Sequence, residues 1–132
     1  MLTTYGGYGA SNAIDGINDC GGKYIHSLFD NEIENWLRID FEEWKHVGII
    51  EVYNRIDNRI HIKKRLSNTE LYVFGATPDE NRQICYIIED GGFDHFKRTC
   101  KKPLFGKGVE LYQPPNGQGR ILNLCEVIVY GK

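Results

Sequence analysis

Val47-Gly-Ile-Ile-Glu-Val-Tyr-Asn-Arg-Ile-Asp-Asn-Arg-Ile-His-Ile-Lys-Lys-Arg-Leu-Ser-Asn-Thr-Glu-Leu-Tyr-Val-Phe74 is the stretch whose reading decides the fold. Apolar runs at Val47–Val52 and Glu70–Phe74 bracket a polar middle. Such runs, short and rich in Val, Ile and aromatic residues, read as strands. Between them stand Arg55, Arg59, Lys63, Lys64 and Arg65, with His61 and a single acid, Asp57. A cationic loop mounted on two strands is a rigid donor surface for a hydroxyl-rich or anionic ligand. On a purely structural connection the same charges would only keep it solvated.

Similar strand runs recur outward from this segment. Asn35-Trp-Leu-Arg-Ile-Asp-Phe41 alternates in character, with Trp36 expected in the core. Further runs lie at Ile84–Ile88, Gly108–Tyr112 and Leu122–Tyr130. Gly75-Ala-Thr-Pro78, Gly91-Gly92 and Pro114-Pro-Asn-Gly117 punctuate them. No segment sustains a 3.6-residue apolar period. Many short strands separated by turn signals predict an all-β sandwich or barrel.

The 132 residues carry 41% hydrophobic and 26% charged residues, as expected for one globular domain, 1–132. A net charge of −2 argues against a general nucleic-acid binder, since the positive charge is local. No apolar run approaches the roughly 18 residues of a membrane span, so no membrane insertion is expected. Met1-Leu-Thr-Thr-Tyr-Gly-Gly7 lacks the basic start and apolar stretch of a secretory leader, as a mature chain would. Cys20, Cys85, Cys100 and Cys125 are dispersed, without the C-x-x-C pairs of a zinc site. Two disulfides in a secreted protein fit this number, with three possible connectivities.

Catalytic signatures are missing. No G-x-S-x-G elbow exists, and Gly6-Gly-Tyr-Gly9 and Gly106-Lys-Gly108 precede no helical pattern that could cradle a phosphate. The chain is therefore expected not to be an enzyme. Sugar binding suits the basic loop better. Arginine presents several fixed donors and can span two adjacent hydroxyl oxygens. Asp57 could hold Arg55 in place and offset cationic repulsion, since residues two apart share a face in extended chain. Ala10-Ser-Asn-Ala-Ile-Asp-Gly-Ile-Asn-Asp-Cys20 gathers oxygen-bearing side chains around a glycine, a weak signal for a hard cation such as calcium.

Five landmarks then resemble a known family. They are Ala10-Ser-Asn-Ala-Ile-Asp-Gly16, Trp36-Leu-Arg-Ile-Asp40, Asn54-Arg-Ile-Asp57, Arg65-Leu-Ser67 and Leu124-Cys-Glu-Val127. From about Tyr8 onward the chain resembles an F-type lectin, a fucose-binding domain with a discoidin-like jelly-roll β-sandwich shared with the type C domains of coagulation factors. Asn54-Arg-Ile-Asp57 is the most specific landmark, because it carries the R-x-D of the sugar-binding motif.

The resemblance implies a site. His26, Arg55 and a second basic residue would bind L-fucose, with Asp57 as the motif acid. The family spacing puts that second basic residue at Ile62, which cannot serve; Arg65 is assigned instead, in a loop three residues longer, with Lys63 and Lys64 as alternatives. The resemblance also implies a structural calcium held by Asn12, Asp15, Ile17 and Asp19, by the Cys125 carbonyl and by the Glu126 side chain. It implies disulfides Cys20–Cys125 and Cys85–Cys100. Three departures stand out: a shortened Asp15–Cys20 stretch, Asn58-Arg-Ile-His61 in place of an adjacent-cysteine disulfide, and a truncated or absent opening strand. The expectation is a secreted, calcium-stabilised lectin for fucosylated glycans, a homo-oligomer or part of a larger multidomain protein. The alternative is an interaction module that binds anionic glycans or another non-fucose ligand through the basic 55–65 loop.

Overall fold

The computed structural model describes residues 25–26, 34–115 and 121–131. Among the described residues, seven strands alternate with turns in the order β1 (Ile25–His26), β2 (Asn35–Tyr53), β3 (Thr69–Phe74), β4 (Gln83–Ile88), β5 (His95–Gln113), β6 (Asn123–Leu124) and β7 (Glu126–Tyr130). A helical turn, α1 (Ile60–Lys63), continues into a 3-10 turn at Lys64–Leu66 between β2 and β3. All pairings are antiparallel: β1 with β6, and the rest in the order β4-β3-β5-β2-β7.

Two 19-residue strands organise the molecule. The first half of β2 pairs with the last part of β5, Asn35 opposite Gln113 and Asp40 opposite Gly108. Its second half pairs with the start of β5, Ile49 opposite Thr99 and Tyr53 opposite His95. Register breaks at Asp40/Lys45 and Val47/Ile49 separate the halves, and such bulges bend a strand pair. β3 and β4 extend one half, β7 the other. A single core lies between them, with Leu37, Leu71, Val73, Val109 and Leu111 on one side and Val47, Ile50, Val52, Phe96 and Val127 on the other. Cross-links span the same gap: the Tyr86 hydroxyl donates to the Ile50 carbonyl at 2.8 Å, and Cys85 is disulfide-bonded to Cys100. The result is the expected β-sandwich.

Several boundaries differ from the sequence expectation. The runs at 35–41 and 47–53 are one strand. β5 begins thirteen residues before Gly108. Leu122–Tyr130 breaks at Cys125, where the Cys125 N–H donates to the Tyr53 carbonyl at 2.7 Å. Trp36 is half-buried rather than core, with the Arg38 guanidinium 3.9 Å above its ring. The opening strand of the family lies outside the described residues.

The root of the basic loop is fixed by a polar cluster on β2, β5 and β7. Glu51 is buried, its carboxylate 2.5 Å from His95 Nε2 and accepting from the Tyr130 hydroxyl at 2.6 Å. The Tyr130 hydrogen bond, followed by His95, holds the Glu51 carboxyl below its ordinary range. Tyr53 stacks on His95 with ring centroids 4.5 Å apart.

Candidate functional site

Each end of the basic loop is anchored by a fully buried amide. At the start, Asn54 follows the last residue of β2. Its Nδ2 donates to the carbonyls of Lys63, Gly91 and Phe93 at 3.0, 2.8 and 3.1 Å. Its Oδ1 accepts from the Arg55 N–H at 2.8 Å, and its own N–H donates to the Asp94 carbonyl at 2.8 Å. At the end, Gln113 Nε2 donates to the Arg65 carbonyl and to Thr69 Oγ1, both at 2.9 Å. Thr69 Oγ1 in turn donates to the Leu66 carbonyl at 2.7 Å. A buried donor left unpaired is costly, so the bonds that these two amides donate fix the loop's path.

Within the loop, the chain makes a helical turn because Ile62 and Leu66, four apart, both reach the core, at 3% and 0% exposure. That spacing places two residues on one helix face. Burial of Ile62 agrees with its exclusion from the ligand-binding set. The turn was not expected, since four residues are too few to show a helical period.

Asp57 is the electrostatic centre. Its Oδ1 accepts from the Arg59 N–H at 2.9 Å, an Asx turn. Arg59 also grips it with two bonds, Nε to Oδ1 and Nη2 to Oδ2, each 3.0 Å. Arg55 Nη2 lies 3.3 Å from the same Oδ2. The Arg59 side-chain bond, then the Arg59 N–H, hold the Asp57 carboxyl well below its ordinary range. Only 16% of the Arg55 side chain is exposed against 60% for Arg59. Arg55 is therefore the oriented donor and Arg59 its outer brace. Lys63 pairs with Asp94, so a further loop cation is offset locally.

The structure thus joins Arg55 and Asp57 as the sequence implied, and adds Arg59. Arg65 sits in the 3-10 turn eight residues beyond Asp57, half-buried, with its backbone held by Gln113. His26 lies on β1 opposite Asn123; its side chain is outside the described residues. Asn12, Asp15, Ile17, Asp19 and Cys20 are outside them too. Cys125 is disulfide-bonded, and Glu126 opens β7 with 3% exposure. Cys85–Cys100 is formed as the resemblance implied. Asn54, Gln113 and Thr69 escaped the sequence reading as anchors. For Arg59 a signal was present: Asp57-Asn-Arg59 has the spacing of an Asx turn.

No family model matches the sequence, and no curated protein matches it. Solved structures do. A fucose-binding module from Streptococcus pneumoniae aligns at 20% identity and a TM-score of 0.81, covering 99% of this chain and 88% of that one. The F-type lectin (fucolectin) of striped bass (Morone saxatilis) serum aligns at 26% identity and 0.82, covering 98% of this chain and 44% of that one. The lectin domain of lectinolysin, solved with Lewis B antigen, aligns at 23% identity and 0.81, covering 99% and 89%. In fold, the chain resembles these solved modules, an antiparallel β-sandwich over nearly its whole length.

Proposed function

We propose that this domain is a lectin that binds L-fucose in fucosylated glycans, without catalysis. Arg55 and Arg65 donate to sugar oxygens, His26 supplies a third contact, and Asp57 orients Arg55. The observation that carries this reading is the Arg55–Asp57–Arg59 cluster on a loop anchored at both ends. A preorganised guanidinium loses little freedom on binding. Asp57 faces two arginines and Asp94 faces Lys63, which offsets part of the loop's positive charge. The fold supports the reading, since solved structures of this shape include a fucose-binding module and a fucolectin, beside modules that bind galactose or chitosan.

The reading includes a structural calcium. Glu126 is a buried carboxylate, and the buried Asn123 side-chain amide has no hydrogen-bond partner among the described residues. Oxygen-bearing groups withdrawn from water suit a hard cation. Asn12, Asp15, Ile17, Asp19, the Cys125 carbonyl and Glu126 would hold it as a structural ion. A disulfide and the absence, among the described residues, of any helix long and apolar enough to cross a membrane accord with a secreted protein. One monosaccharide site is weak, so an oligomer or a multidomain parent would supply avidity.

A glycan array in calcium, competed with free L-fucose, tests this reading. Fucose-competed binding that vanishes in Arg55→Ala, with the melting temperature preserved, is the expected result. Normal binding by Arg55→Ala would overturn the site. Binding only to sulfated or sialylated glycans, weakening steeply with salt, would transfer the loop to anionic ligands.

A further inference from the structure

On the flank of the sandwich, β4, the turn after it and the start of β5 form an open pocket of about 300 Å³. Ile87, Glu89, Asp90, Phe93, Phe96 and Arg98 line it. It is built on fixed parts. The Cys85–Cys100 disulfide brings the two backbones to a Cα–Cα distance of 4.5 Å beside it. In the turn, the Gly92 N–H donates to Asp90 Oδ1 at 3.0 Å and the Gly91 N–H to Ser67 Oγ at 2.7 Å. Gly91 packs so close to the chain after the 3-10 turn that a Cβ there would stand 2.5 Å from the Ser67 nitrogen.

Phe93 holds its ring in solvent, 59% exposed, braced edge-on by the buried Phe96 at a centroid distance of 6.2 Å. Its carbonyl is pinned by Asn54 at 3.1 Å. Ile87 adds a second exposed apolar wall. Among the described residues no ion pair occupies the Glu89 carboxylate or the Arg98 guanidinium.

We propose that this pocket is a second sugar site, which takes a neutral pyranose independently of the basic loop. The charge pattern selects the ligand class. A cation would meet Arg98, and an anion would meet Glu89 and Asp90. A neutral polyol uses both, because each hydroxyl donates to a carboxylate and accepts from a guanidinium. A pyranose also has a C–H face, which Phe93 and Ile87 can cover. The volume lies at the low end of small-molecule sites, enough for one or two sugar rings. The rigid turn limits the ordering cost. One domain would then hold two sugar residues at once, and its avidity for branched glycans would not depend on oligomerisation alone.

The test is a titration of the 15N-labelled full chain with the methyl glycosides of α-L-fucose, β-D-galactose, β-D-glucose and N-acetyl-β-D-glucosamine, read at the backbone amides. The expected result is saturable shifts at residues 87–89 and 96–98 with at least one glycoside. They persist in Arg55→Ala, and affinity falls about tenfold or more in Phe93→Ala and in Arg98→Ala, the loss of one ring contact or one charged donor. Shifts confined to residues 54–66 would overturn the second site while leaving the basic-loop reading intact. So would a pocket that responds only to Nα-acetyl-lysine methylamide or to inorganic sulfate.

Discussion

Replacing Asn54 by alanine probes the anchor on which the whole site depends. The side chain is fully buried and bridges three segments: the helical turn through Lys63, the 91–93 turn through two carbonyls, and the first residue of the loop through the Arg55 N–H. Nδ2 has two protons for three acceptors, so the loss amounts to two full donor bonds plus one acceptor bond. At about 1 kcal/mol net for each bond, with a further penalty for any carbonyl left buried and unpaired, Asn54→Ala costs about 3–4 kcal/mol. For a domain of this size that is a fall of about 10–15 °C in melting temperature, read by calorimetry or circular dichroism. Asn54→Asp sharpens the test. It keeps the acceptor for the Arg55 N–H but turns the donor into an oxygen facing three carbonyls, so it must be at least as destabilising as alanine despite being nearly isosteric. A midpoint within about 2 °C of wild type for Asn54→Ala, or an aspartate variant clearly more stable than the alanine one, would refute this account of the anchor.

Further outcomes follow from the same geometry. The Asp57 carboxyl is depressed in the folded state, chiefly by the Arg59 bond, so the stability it contributes is present above the unfolded carboxylate value of about 4 and is lost as pH falls through the folded one; Asp57→Asn should flatten the acid limb of the melting curve, and an unchanged limb would remove Asp57 from it. Breaking the Cys85–Cys100 disulfide, which spans a sequence separation of 15, by the paired Cys→Ala change should cost about 3 kcal/mol in denaturant unfolding. Chelation with EDTA should lower the melting temperature and added calcium restore it; a midpoint insensitive to both would remove calcium from the account. Phe74→Ala should be among the more damaging core changes, about 3–5 kcal/mol, since its ring is 1% exposed and occupies the space that the missing side chain of Gly108 leaves.

How far the sequence could be read depended on whether its pattern is local. β3 and β4 came within one residue of their ends because their apolar runs are uninterrupted and bounded by turn residues. The first half of β5 was invisible for a physical reason. Its buried residues, Phe96, Cys100 and Leu104, are four apart, and the positions between them are exposed and mostly charged. A long strand that bends with its partner from one half of the sheet to the other does not keep a period of two. The site divides along the same line. Arg55 and Asp57 were legible because an i, i+2 acid–base pair in a short motif brings its own contact. Arg59 was half legible through the Asx turn. Asn54 and Gln113 were not, because their partners lie 37 and 48 residues away, at Gly91 and Arg65. A buried amide is recognisable only once the chain around it is folded. The Arg55–Asp57 pair was thus written in the motif, and the rigidity of the loop that carries it was written in the topology. If so, the anchors and the motif are separable: a variant that loosens Asn54 should weaken sugar binding while Arg55 and Asp57 remain in place, whereas Arg55→Ala should abolish binding in a domain of unchanged stability.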